Sequence, residues 1–114
     1  MELDKYTILD TQLIEQAIKM IELNSSRCVI VINTQKKVVG ILSEGDILRA
    51  ILKGVNIKSP VKNITITNFK YLTKYDDKKI KSYFKNGITL IPIINTQNIL
   101  IDVVVFTHYV KNNW

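Results

Sequence analysis

Apolar residues along this chain fall into short blocks with two distinct rhythms. Val29 to Ile32 is an unbroken apolar run of strand length, followed by a polar turn and a second run from Val38 to Leu42. Ile91 to Ile94, another polar turn and Ile99 to Val105 repeat that plan. Both read as hairpins of β-branched residues bounded by turn formers. Ahead of each hairpin the rhythm lengthens. Ile14, Ala17, Ile18 and Ile21 recur at three- and four-residue spacing, which predicts one buried helical face, with Asp10 or Thr11 as its N-cap. Ile80, Tyr83 and Phe84 predict a second such helix, capped by Asp76 or Asp77 and ended by Gly87. After the first hairpin, Ile47, Leu48, Ile51 and Leu52 predict an inward face on a helix from about Glu44 to Lys53, stopped by Gly54. A shorter helix is expected from about Thr107 to Asn113.

An internal repeat organises these elements. Val31-Ile32-Asn33-Thr34-Gln35 returns as Ile93-Ile94-Asn95-Thr96-Gln97, displaced by 62 residues. Each half reads strand, helix, strand, strand, helix, an α/β (α+β) unit too small to bury its own apolar face. Two copies packed about a pseudo-two-fold axis would solve that problem. The expected division is 1–58 and 59–114, forming one globular module. Val55 to Phe69, with Pro60, serves as connector.

Composition adds limits. With 46% hydrophobic and 23% charged residues in 114, the chain has the makings of a packed core. No apolar run approaches the ~18 residues that read as a membrane span, so no membrane association is expected. Met1-Glu2-Leu3-Asp4 lacks the basic-then-apolar pattern of a secretion signal. A lone Cys28 cannot form an internal disulfide, and a cytoplasmic location follows as the expectation. The net charge of +6 raises the question of nucleic acid. Only Arg27 and Arg49 are arginines, the usual clamps of phosphate and readers of bases, so nucleic acid is not the expected partner.

The residues carry a resemblance. Val29 to Asn33, a turn, then Lys37-Val38-Val39-Gly40-Ile41-Leu42-Ser43-Glu44-Gly45-Asp46 resembles the signature of the cystathionine-β-synthase (CBS) domain. That signature runs through a strand ending in Gly-apolar-X-Ser/Thr-X-X-Asp and opens a helix. Leu90-Ile91-Pro92-Ile93-Ile94-Asn95 resembles it in the second half, which is the degenerate copy. The resemblance implies a tandem CBS pair, a non-catalytic regulatory module whose clefts can bind adenine nucleotides such as AMP, ADP or ATP. It implies a homodimer as well. Glu44 to Gly54, with Ser59-Pro60-Val61, further resembles the CBS pair ahead of some sugar-phosphate nucleotidyltransferases, which implies such a catalytic domain as attached or partner enzyme.

Under the resemblance the nucleotide site comprises Gly40, Ser43, Asp46 and Arg27. Glycine admits close approach. The serine hydroxyl can donate to a phosphate at a helix N-terminus, and the carboxylate can accept from ribose hydroxyls. Arg27 could neutralise phosphate if it faces the cleft. Ser-X-X-Asp is also close to a capping box, and capping alone would account for both residues. A ligand-free dimerisation module with a decayed site is therefore the alternative. In the second copy the 62-residue offset places Asp102, Val105 and His108 where Gly40, Ser43 and Asp46 stand, so at most one site is expected.

Elsewhere the chemistry is sparse. His108 has no companions for a metal site or a triad, and no catalytic residues, metal or resident cofactor are expected. Cys28 reads as a small core residue. Lys78, Lys79, Lys81 and Lys85 read as a solvated helix face. Phe69, Tyr71, Tyr75, Tyr83 and Phe84 read as core rather than as stacking platforms.

Overall fold

The structure is a computed structural model that describes residues 3–113. In chain order it runs β1 (Thr7–Leu9), α1 (Ile14–Asn24), β2 (Cys28–Ile32), β3 (Val38–Ser43), α2 (Glu44–Leu52), α3 (Asp77–Lys85), β4 (Leu90–Ile94), β5 (Leu100–Val105) and α4 (Phe106–Asn113). The first half forms a three-stranded sheet in which β1 lies parallel and β3 antiparallel to β2. The second half forms the antiparallel pair β4–β5.

Its leading strand departs from the expected plan. Leu72 makes one parallel bridge to Ile93 through Leu72 N–H to Pro92 O at 2.9 Å and Ile94 N–H to Leu72 O at 2.8 Å. Leu72 is the only buried residue between Lys70 and Lys74, too little apolar surface to hold an edge strand on the sheet.

Strand pleating builds the core. Val29 and Val31 of β2 join Ile8, Ile14, Ala17, Ile21, Leu42, Ile47 and Val61 on one side. Cys28 and Ile30 point the other way and meet Tyr6, Val38, Leu90, Ile94, Val103 and Val105. Beyond them, Ile91 and Ile93 of β4 pack on Leu72, Ile80, Phe84, Val104 and Tyr109. Both central strands are thus covered on both faces, which is why they read as continuous apolar runs. The middle layer belongs to neither half alone.

The repeated Asn-Thr-Gln is a turn-building device. Asn33 Oδ1 accepts from the N–H groups of Gln35 and Lys37 at 2.9 and 3.0 Å; Asn95 Oδ1 does the same for Gln97 and Ile99 at 2.8 and 3.0 Å. Lys36 and Asn98, one offset apart, both hold positive φ, 64° and 65°. The two turns meet, with Val38 N–H donating to Asn98 O at 2.8 Å.

Helix starts and faces differ from expectation in two places. Helix α1 begins at Ile14 with Leu13 at its N-cap, whereas Asp10 and Thr11 lie in the preceding turn. The connector supplies the acceptors that a cap would have: Ile14 N–H donates to Ser59 O at 2.9 Å and Glu15 N–H to Ile57 O at 3.0 Å. On α2, Ile47 and Ala50 are buried, whereas Leu48, Ile51 and Leu52 are 59%, 41% and 78% exposed. The core against α2 is filled from one narrow stripe, and the rest of its apolar surface faces outward. Gly54 and Gly87 take left-handed φ of 94° and 92° just beyond α2 and α3, as helix ends require.

Gly40 serves packing within the chain. A Cβ there would lie 2.3 Å from Ile66 O and 2.4 Å from Thr65 Cγ2, because the connector pairs with β3 through reciprocal 3.0 Å bonds between Ile41 and Ile66. Gly40→Ala is expected to lower stability by about 1–3 kcal/mol. In Gly45→Ala the new methyl would meet only the mobile end of Arg49, at 3.3 Å, and the helical position favours alanine. Urea midpoints should therefore fall for the first variant and hold or rise for the second; equal losses would refute the connector contact.

Candidate functional site

Strand β3 delivers Ser43 to the N-terminus of α2, and the two residues of the Ser-X-X-Asp motif lock onto each other. Ser43 Oγ accepts from Asp46 N–H at 3.1 Å and donates to Asp46 Oδ2 at 2.8 Å. Ser43 N–H donates to the same Oδ2 at 3.0 Å, and Arg49 Nη2 donates to Oδ1 at 2.8 Å. The capping box anticipated from the spacing is fully formed. Burial alone would raise the Asp46 pKa, but the Ser43 N–H, the Ser43 hydroxyl and the Arg49 guanidinium together hold it below the ordinary value.

These two side chains open onto a cleft of about 380 Å³. Cys28, Ile41 and Ser43 come from the first half, Ile66, Asn68 and Phe69 from the connector, Lys70 from just beyond it, and Gly87 to Leu90 from the start of the second hairpin. Its lining is predominantly apolar, with Asp46, Asn68, Lys70 and Thr89 as polar contributors. Thr89 Oγ1 is tied to Ser26 O at 2.6 Å and lies 3.8 Å from Cys28 Sγ. Burial pushes the Cys28 thiol up to about 11, so it is a protonated packing group at neutral pH.

Of the four residues expected at a nucleotide site, Ser43 and Asp46 share this cleft. Gly40 faces the connector instead. Arg27 lies elsewhere: its side chain is 75% exposed, stands 3.8 Å from Glu44, and borders cavities formed with α1, α2 and the start of α4. The repeat explains the displacement. Thr89 is one offset beyond Arg27, and the pseudo-two-fold places the helix-to-strand turn of one half against the strand-to-helix junction of the other. Thr89 therefore sits in the cleft of Ser43, while Arg27 borders Val105, Phe106 and Thr107, the counterparts of Ser43, Glu44 and Gly45. Carrying the offset one step further would have located Thr89. Asn68 lies in the connector and Lys70 just beyond it, and neither matches in type the residue one offset earlier, Tyr6 or Ile8.

The pseudo-equivalent cleft, about 360 Å³, is lined by Lys5, Tyr6, Tyr75, Asp102, Val103 to Val105, His108, Tyr109 and Asn112. It holds Val105 and His108 in place of the hydroxyl and carboxylate, and the Asp102 side chain accepts from Val103 N–H at 2.7 Å. The buried Tyr109 hydroxyl donates to Asp77 and fastens α4 to the start of α3. That bond, reinforced by Lys81, lowers the Asp77 pKa. Among the described residues no cluster of three or more His, Cys, Asp or Glu could hold a metal ion, and no helix is long and apolar enough to cross a membrane.

Comparison with known proteins bears on the fold. Residues 1–53 match the family model of the CBS domain. Among curated proteins no match is found. Three solved structures share the fold across both halves. AcuB of Vibrio cholerae superposes with a TM-score of 0.81 at 20% identity, over 93% of this chain and 80% of that one. The CBS domain protein PAE2072 of Pyrobaculum aerophilum, complexed with AMP, gives 0.72 at 18% identity over 89% and 79%. The CBS domain pair of protein MJ0100, in complex with 5′-methylthioadenosine and S-adenosyl-L-methionine, gives 0.74 at 18% over 92% and 84%. The fold of this chain is that of a CBS-domain pair.

The capping box makes two outcomes measurable. Ser43→Ala should cost about 0.5–2 kcal/mol in stability through loss of the cap. Because the folded pKa of Asp46 is depressed, its stabilisation is present above the unfolded value of roughly 3.9 and is lost as pH falls through the lower folded value. The stability gap between wild type and Asp46→Asn should thus be level above about pH 5 and close on acidification below about pH 4. A gap that widens at low pH would contradict the assignment.

Proposed function

We propose that this chain is a non-catalytic regulatory CBS-pair module, with residues 1–58 and 59–114 acting as one unit, that binds an adenine nucleotide in the cleft of Ser43 and Asp46. The observation that carries this reading is the convergence in one cleft of a carboxylate, a hydroxyl at a helix N-terminus, a lysine and apolar walls. Ile41, Ile66, Phe69, Ile88 and Leu90 offer a slot for a flat base. Asp46 can accept from two ribose hydroxyls, and Lys70 rather than Arg27 supplies the cation for phosphate. The AMP and adenosyl ligands of PAE2072 and MJ0100 support the ligand class.

The site is not idle without ligand, since both oxygens of Asp46 already accept internal bonds. Ribose must exchange with some of them. Arg49, 65% exposed, is the partner that can leave at least cost. Binding would then reorganise the first turn of α2, whose outer face is apolar and exposed, and so bias whatever that helix touches. By resemblance the regulated enzyme is a sugar-phosphate nucleotidyltransferase, attached or in trans.

Thermal denaturation with AMP, ADP and ATP tests the reading. Ligand at a hundred times Kd should stabilise by about 2.7 kcal/mol. Asp46→Ala and Lys70→Glu should each remove the shift, while Arg27→Ala should leave it intact. No shift at millimolar concentration, or loss on Arg27→Ala alone, would defeat it.

A second reading rests on a different observation. Leu48 and Ile51 are exposed along a groove of about 540 Å³ between α1 and α2 that Ile18 and Ile21 also line, and Leu23 and Leu52 are exposed on the same two helices. An apolar surface of this kind fits a second copy of the chain, giving a homodimer whether or not the cleft is occupied. Light scattering should report a dimer that Leu48→Glu with Ile51→Glu converts to a folded monomer. A monomer at every concentration in the wild type would exclude this arrangement.

A further inference from the structure

The positive charge of this protein is concentrated. Residues 1–58 carry eight basic and seven acidic side chains, whereas residues 59–114 carry eight lysines and three aspartates. Six of those lysines fall between Lys70 and Lys85. The two carboxylates in that stretch are engaged internally. Asp76 caps α3 by accepting from Lys79 N–H at 3.2 Å, and Asp77 binds Lys81 at 3.3 Å as well as Tyr109. Lys70, Lys74, Lys78, Lys79 and Lys85 are exposed, and among the described residues none of them has an ion-pair partner. Lys78, Lys81 and Lys85, at three- and four-residue spacing, form one stripe on the side of α3 away from the buried Ile80 and Phe84.

Two tyrosines expected in the core are at the surface here. Tyr71 and Tyr75 are 45% and 57% exposed, each directly following a lysine. Phe69 braces Tyr71 from one side, with ring centroids 5.6 Å apart. Exposed aromatic rings among point charges are the elements of a surface that tracks a phosphate backbone and stacks unpaired bases.

We propose that the lysine- and tyrosine-bearing segment 70–85 binds single-stranded nucleic acid without sequence preference. The second half contains no arginine, so it lacks the side chain best suited to reading base edges. An acidic protein surface would satisfy the lysines but leave the tyrosine rings without stacking partners. A duplex would satisfy the lysines while keeping its bases out of reach. This segment is separate from the cleft of Ser43 and Asp46 except at Lys70, and the two readings stand or fall independently.

Fluorescence anisotropy with labelled 20-nucleotide oligo(dT) and oligo(U), at 50 and 200 mM salt, tests the proposal. Binding should be measurable at the lower salt and weaken about fiftyfold at the higher, the change for about four phosphate contacts on a single strand. Lys78→Glu with Lys85→Glu should lower affinity at least tenfold and flatten the salt dependence. Tyr71→Ala should lower it severalfold without changing the salt slope. Each variant is compared only if its melting matches wild type; these side chains are exposed and Lys74→Glu is available as a replacement. No binding at 50 mM salt would overturn the proposal. So would equal affinity for poly-glutamate or for a duplex of the same length, or affinity unchanged by Tyr71→Ala.

Discussion

The structure depends on the contact between two sheets that cannot be solvated separately. Cys28, Ile30 and Val38 of one half meet Leu90, Ile94, Val103 and Val105 of the other, and most of these side chains are almost wholly removed from water. Each half has an outer cluster of its own, but the inner faces of the two sheets share a single layer between the halves. Apolar burial at roughly 25 cal/mol per Å² makes that shared layer the dominant cohesive term between the halves. It also fixes their relative rotation, and the clefts of Ser43 and of His108 are consequences of that rotation.

The two halves keep the same frame and differ in chemistry. The asparagine-built turns, the positive φ two residues before each second strand begins, and the bulges at Val31/Ile32 and Ile93/Ile94 all obey one displacement. These are features that backbone geometry requires. The strand-to-helix junctions obey no such requirement. Ser43 and Asp46 stand in one, Val105 and His108 in the other, and α4 is instead secured by Tyr109 on Asp77 and by Phe84 and Phe106 in edge-on contact. A frame held by packing can lose polar residues at one cleft without losing its shape.

The connector does more than join the halves. Its carbonyls at Ile57 and Ser59 satisfy the first N–H groups of α1, Val61 fills the first core, and Ile66 pairs with β3 where only Gly40 allows it. Its continuation supplies Asn68, Phe69 and Lys70 to the cleft. The same segment therefore stabilises one half and lines the cleft between both.

Strand and helix placement was legible from the residues because it rests on local pattern: continuous apolar runs bounded by turn formers for the hairpins, three-and-four spacing for the helices. Ser43 and Asp46 were legible as well, since a capping box is a spacing. Long-range choices were not. The outward turn of Leu48 and Leu52, the exposure of Tyr71 and Tyr75, and the reduction of a strand to the single bridge at Leu72 depend on how much core remains to be filled. Arg27 lies away from the cleft of Ser43 and Asp46, because its neighbours are set by a pseudo-two-fold that no stretch of sequence contains. Residue spacing along the chain was enough to place the elements, the turns and the capped helix that carries Ser43 and Asp46. Only tertiary packing decided which walls face them, because that depends on residues from the connector and from 62 positions along the chain meeting across a shared layer.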